Sequence, residues 1–184
     1  MATDKIQVLC YGDSNTYGYD PRGFFGGRYD HPWPELLARE NGWEVSNEGE
    51  NGREIPTGKC LFPAECDLFI VMLGTNDLLQ LRSPEETTDR MERFITQFSE
   101  AERKKLLLIA PPPVKYGEWV QDDSLIKDVQ ALAVALEALA QRLDIRFLNS
   151  EGWNLSLAFD GVHLTLEGHR AFAAHLIDYL NKGE

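Results

Sequence analysis

The chain has 184 residues and a formal net charge of −12, with 43% hydrophobic and 26% charged residues. That length and balance fit one folded domain, residues 1–184, and exclude a fibre or a disordered tail. Acidity without a basic stripe excludes nucleic acid and an anionic membrane surface as partners, because both are held by Lys and Arg.

In chain order, Met1–Lys5 leads directly into Ile6–Tyr11, an apolar run of strand length that is too short for the core of a signal peptide. A short helix is predicted over Pro32–Glu40, a second strand over Trp43–Asn47, and a third over Asp67–Leu73 (DLFIVML), buried on both faces. A long helix is predicted over Pro84–Glu100. Ser83 is its N-cap, Pro84 its first residue and Glu86 completes a capping box, while Met91, Phe94, Ile95 and Phe98 share one face.

Leu106–Ala110 reads as a fourth strand, stopped by Pro111-Pro112-Pro113, which cannot continue a sheet ladder. Ser124–Leu143 carries Leu125, Val129, Leu132, Leu136, Leu139 and Leu143 on one helical stripe. Ile145–Leu148 is a fifth strand, and Thr165–Asn181 a last helix with Phe172, Ile177 and Leu180 inward. No run approaches the roughly 20 apolar residues that span a bilayer. Cys10, Cys60 and Cys66 are odd in number and lack metal-ligand spacing, so they read as reduced and the expected location is cytoplasmic.

Strands alternating with helices imply parallel strands joined by right-handed crossovers. The expected fold is α/β, a flavodoxin-like three-layer α/β/α sandwich with a five-stranded parallel sheet in the order 2-1-3-4-5. Four polar blocks then fall beyond strand ends at one edge of the sheet. They are Gly12-Asp13-Ser14-Asn15-Thr16, Asn47-Glu48-Gly49-Glu50-Asn51-Gly52-Arg53, Gly74-Thr75-Asn76-Asp77 and Asp160-Gly161-Val162-His163.

Acyl transfer needs these groups. A serine hydroxyl attacks only when a base takes its proton, and His163 suits that work and the return of the proton. Asp160, three residues earlier, can hold the other ring nitrogen and steady the imidazolium. The Ser14 and Gly52 backbone N–H groups and the Asn76 amide are the candidate oxyanion donors. Singly, each block has a plainer reading. Gly-Asp-Ser can merely cap a helix, Gly-Thr-Asn-Asp can be a turn with Asp77 structural, and Asp160-x-x-His163 can be a surface turn.

Together, in this order, the blocks resemble the four sequence blocks of the SGNH (GDSL) hydrolase superfamily. A closer resemblance, to the arylesterase-like branch, runs through Cys10–Gly18 (CYGDSNTYG), Glu48-Gly49-x-x-Gly52-Arg53 and Val71–Asp77 (VMLGTND). The resemblance implies a flavodoxin-like fold, no metal, no cofactor, and ester hydrolysis. It gives Ser14 as nucleophile, His163 as base, Asp160 as its partner, and Gly52 and Asn76 as oxyanion donors. Some members of that branch also make peracids, and some form large homo-oligomers. Asn15 stands where many relatives carry leucine, a change expected to alter the pocket mouth but not the chemistry.

Asp13, Arg53, Phe24, Tyr116 and Trp119 are further candidates for contacting a small ester substrate. For Arg53, an ion pair with a loop carboxylate competes with that role. Tyr19–Tyr29, with Phe24 and Phe25, reads as an aromatic flap or as an interface patch of a homo-oligomer, and ordinary packing is the alternative. His169 and His175 read as solvated helix residues, and His31 as a turn residue. A compact chain without a lid segment favours short acyl groups. Two rivals stand beside the esterase reading. A flavin- or phosphate-binding module would use Ser14, Asn15 and Thr16 as its loop but leaves Asn76, Asp160 and His163 unexplained. A catalytically inert interaction domain would be expected to have lost a member of the triad.

Overall fold

The structure, a computed structural model, describes residues 5–23 and 25–182. Phe24, a candidate substrate contact, lies outside the described residues. The main sheet is built from β1 (Gln7–Gly12), β4 (Glu44–Gly49), β5 (Leu68–Met72), β6 (Leu106–Ile109) and β7 (Arg146–Leu148). All its pairings are parallel, in the order β4-β1-β5-β6-β7. Counting these five strands alone, that is the expected 2-1-3-4-5. A two-stranded antiparallel ribbon, β2 (Tyr19–Asp20) and β3 (Gly27–Arg28), is an addition the sequence did not announce.

Strand alternation divides the core into two. In β5 and the residue after it, Phe69, Val71 and Leu73 face one side, while Leu68, Ile70 and Met72 face the other. The first set packs with Leu106 and Leu108 against α4 (Pro84–Ile95) and α6 (Asp123–Leu143). The second packs with Val8, Cys10, Leu107 and Ile109 against α2 (Trp33–Asn41) and α7 (Leu166–Lys182). Both faces are covered, which is why β5 reads as one unbroken apolar run.

The capping box at Ser83 and Glu86 starts α4 as expected, but the helix ends at Ile95. Thr96 bends its hydroxyl back to the Glu92 carbonyl at 2.8 Å, and Ser99 with Glu102 forms a second capping box that opens α5 (Glu100–Arg103). The predicted Pro84–Glu100 helix is therefore two helices joined by a turn. Phe98 still reaches the core with Met91, Phe94 and Ile95, so the apolar stripe runs across the break. Each such side chain contributes about 1.5–3 kcal/mol by leaving water.

The register aligns the strand ends that carry the polar blocks. Gly12 pairs with Gly49 on one side and with Met72 on the other. The loops after β1, β4 and β5 thus leave the sheet side by side. Two short helices the sequence reading left undrawn, α1 (Ser14–Tyr17) and α3 (Thr75–Leu79), begin inside those loops.

Candidate active site

Asp13 caps α1 by accepting from the Asn15 N–H at 2.9 Å, which places Ser14 as the first helical residue. Ser14 is buried to 8% exposure, and its Oγ lies 3.0 Å from His163 Nε2. His163 Nδ1 lies 2.7 Å from Asp160 Oδ2. A carboxylate only accepts, so Nδ1 carries the proton and Nε2 is left to accept from the serine hydroxyl.

The spacing of Asp160 and His163 has a local cause. Asp160 Oδ1 accepts from the N–H groups of Val162 at 2.9 Å and His163 at 3.0 Å, closing the turn. That leaves Oδ2 aimed at the ring. Burial pushes the Asp160 carboxyl up, but the hydrogen bonds from the His163 ring and from the two backbone N–H groups outweigh it. The net result is a carboxyl held below its ordinary range, and therefore ionised. Asp13 differs: burial raises it to about 6, against the opposing Asn15 N–H and His163.

A second loop backs this turn. Lys115 N–H donates to the Gly161 carbonyl at 2.9 Å, and Trp119 N–H to that of Asp160 at 3.0 Å. The Trp119 ring meets the His163 ring at 5.1 Å, near perpendicular, and the Tyr19 ring tilts against the same imidazole at 4.8 Å. Trp119 remains 51% exposed and also lines a cavity of about 630 Å³ with Leu78, Leu79, Leu81 and Val120.

Asn76 lies in the first turn of α3 and donates one amide N–H to the Arg53 carbonyl at 3.1 Å. Gly52 has φ +75, the conformation that the third position of a type II turn requires, and Arg53 N–H returns to the Glu50 carbonyl at 3.2 Å. The Arg53 guanidinium pairs with Glu50 at 2.6 Å and lies 4.2 Å over the Tyr11 ring. Asp77 is buried, accepts from Ile55 N–H at 3.0 Å and faces Arg90 at 3.1 Å. Tyr116 is exposed and bonds its hydroxyl to Asp123 at the start of α6. Among the described residues, no group of three or more His, Cys, Asp or Glu is placed to hold a metal.

A family model described as GDSL-like lipase/acylhydrolase matches residues 10–171. The chain belongs to that family. As such it is a carboxylic ester hydrolase. No curated protein matches it. Among solved structures, the aryl esterase of Mycobacterium smegmatis superposes with a TM-score of 0.79 at 24% identity, covering 96% of this chain and 99% of that one. A carbohydrate acetylesterase family member from Sinorhizobium meliloti does so with a TM-score of 0.79 at 27% identity, covering 96% and 98%. A second carbohydrate acetylesterase from that organism gives 0.79 at 23% identity, covering 98% and 100%.

Two expectations for this acylhydrolase are corrected. Asn15 is not at a pocket mouth: it is buried, with its carboxamide bonded to the backbone of the His163 loop, because α1 turns that side chain inward. His169 is not solvated. It is fully buried, since His169, Phe172, Ala173 and Leu176 form the inward stripe of α7. Its Nδ1 accepts from Trp33 N–H at 3.4 Å, and burial drives its pKa down to about 3. His175 is exposed as expected and stacks on Trp153 at 4.6 Å. Tyr19 is the residue the sequence reading missed as a neighbour of His163. Its signal was membership of the aromatic segment 19–29, which carries no information about which ring turns inward. Among the described residues, no helix is long and apolar enough to cross a membrane.

Proposed function

We propose that the protein is a serine esterase for short acyl esters, with Ser14 as nucleophile, His163 as general base and acid, and Asp160 as its orienting partner. The observation that carries this reading is the continuous hydrogen-bonded chain from Ser14 Oγ through His163 to Asp160. His163 takes the serine proton as Oγ attacks the ester carbonyl, and ionised Asp160 steadies the imidazolium that forms. The same imidazolium returns the proton to the departing alkoxide. A water deprotonated by His163 then releases the acyl group from Ser14.

The tetrahedral oxyanion is assigned to the backbone N–H groups of Ser14 and Gly52 and to the Asn76 amide. An amide has two N–H bonds, and the one spent on Arg53 fixes the direction of the other. The preference for short acyl groups such as acetyl draws support from the likeness to the 27%-identical carbohydrate acetylesterase family member. The phosphate-loop alternative is disfavoured by Thr16, which is fully buried, and by Asn15, whose carboxamide is committed internally.

Hydrolysis of p-nitrophenyl esters from acetate to octanoate, with wild type and Ser14→Ala in parallel, tests this. Turnover should fall with chain length and vanish in the variant. Full activity in Ser14→Ala would overturn the mechanism.

A further inference from the structure

We propose that Asn15 is a positioning residue for ester hydrolysis, its carboxamide setting the distance between Ser14 and His163; this rests on the reading of His163 as the base of Ser14. The chain supplies the two contacts of the Ser14–His163–Asp160 relay in different ways. Asp160 and His163 are three residues apart, and their turn is closed by Asp160 itself. Ser14 and His163 are 149 residues apart, and no local structure fixes their separation.

Asn15 spans that gap. Its Nδ2 donates to the Val162 carbonyl at 3.2 Å, and its Oδ1 accepts from the Leu164 N–H at 2.8 Å. The two partners flank His163. A residue in a parallel ladder treats its neighbour the same way, donating to the residue before it and accepting from the one after. The carboxamide thus replaces a strand that the loop does not have.

The other end of Asn15 is fixed as well. Its N–H donates to Asp13 Oδ1 at 2.9 Å, and its carbonyl accepts from Trp33 Nε1 at 3.0 Å. With the side chain 3% exposed, the bracket is a stiff link from the serine's own peptide to the histidine's backbone. Leucine at this position can make neither bond. Aspartate would set a carboxylate oxygen against the Val162 carbonyl. Misplacement of reacting groups by about 1 Å costs on the order of a hundredfold in rate, so the bracket bears directly on turnover.

The test compares wild type, Asn15→Ala and Asn15→Leu, the last filling the space without the bonds. Steady-state hydrolysis of p-nitrophenyl acetate and the rate of Ser14 labelling by a fluorophosphonate are measured per folded molecule, with the folded fraction taken from circular dichroism. Both variants should lose ten- to a hundredfold in kcat and in labelling rate, with KM within twofold. The His163 Nδ1 proton resonance should persist, because the Asp160–His163 turn is independent of Asn15. Rates within twofold of wild type in whichever variant folds would overturn the proposal and leave Asn15 a packing residue. Loss of the Nδ1 proton signal would also overturn it, since Asn15 would then act by supporting the turn. Ser14→Ala, run alongside, separates the premises: activity surviving in that variant defeats the nucleophile assignment itself.

Discussion

Asp160 gives one carboxylate oxygen to the backbone of its own turn and the other to the His163 ring at 2.7 Å. The residue that orients the imidazole also builds the loop that carries it. In Asp160→Asn, the amide oxygen can keep the two backbone bonds, which turns its NH₂ toward Nδ1. Nδ1 must then accept, and the proton moves to Nε2, facing Ser14. Turnover should fall by roughly 10³–10⁴-fold with the circular dichroism spectrum unchanged. A loss of less than tenfold in kcat on p-nitrophenyl acetate would show that tautomer control is unimportant here.

Asn76→Ala removes a side chain that tethers the loop after β4 and is assigned to the oxyanion. The tether alone contributes about 1 kcal/mol of stability. Loss of an oxyanion donor costs about 2.7–4 kcal/mol in the transition state, so kcat should drop a hundredfold or more. If stability falls while kcat changes only a few fold, Asn76 is a loop residue.

His169 should make the fold acid-sensitive. Folded, it stays neutral down to about 3, whereas the unfolded chain takes up a proton below the ordinary value of 6.5. Between those limits the unfolded state binds more protons, so its contribution is fully present above pH 6.5 and is lost as pH falls, by up to about 1.4 kcal/mol per unit. Asp13 acts in the opposite sense. Raised to about 6 from 3.8, it favours the folded state as pH falls through that interval. The wild-type curve mixes both, and His169→Asn, which can still accept from Trp33, separates them. Urea unfolding at pH 7, 6 and 5 should show wild type losing roughly 2 kcal/mol more than the variant by pH 5. Parallel curves would remove His169 from the account.

Gly117 lies so close to the His163 loop that an added Cβ would sit 2.5 Å from both the Asp160 carbonyl carbon and the Gly161 nitrogen. Backbone on both sides cannot yield cheaply. Gly117→Ala should cost about 1–3 kcal/mol and lift Trp119 from His163, lowering turnover as well as Tm. Calorimetry paired with kinetics checks this, and an unchanged Tm would mean the two loops are not held together.

The sheet and its helices were legible because β5 is apolar at every position, a capping box marks where α4 begins and an apolar stripe marks α6. That the loops after β1, β4 and β5 leave one sheet edge followed from parallel topology alone. What escaped depended on distance or on rotation. Nothing near Asn15 says that its partners are Val162 and Leu164. The end of α4 was hidden because Phe98 continues the stripe, although Ser99 and Glu102 repeat the capping pattern seen at Ser83 and Glu86. The burial of His169 was readable, since it stands three before Phe172 and seven before Leu176, but a polar side chain masked the period. The β2–β3 ribbon, with two residues per strand, is too short for alternation to register.

The 149-residue separation of Ser14 and His163 also bears on how the protein matures. A contact of such long range is closed late, after the loop entropy of the intervening chain has been overcome. During synthesis, Ser14, the proposed nucleophile, gains its His163 contact only after the 149 residues that follow it have emerged and the His163 loop has docked. Recovery of esterase activity during refolding would thus time the closing of the Ser14–His163 contact. Spectroscopic recovery of helix would precede it.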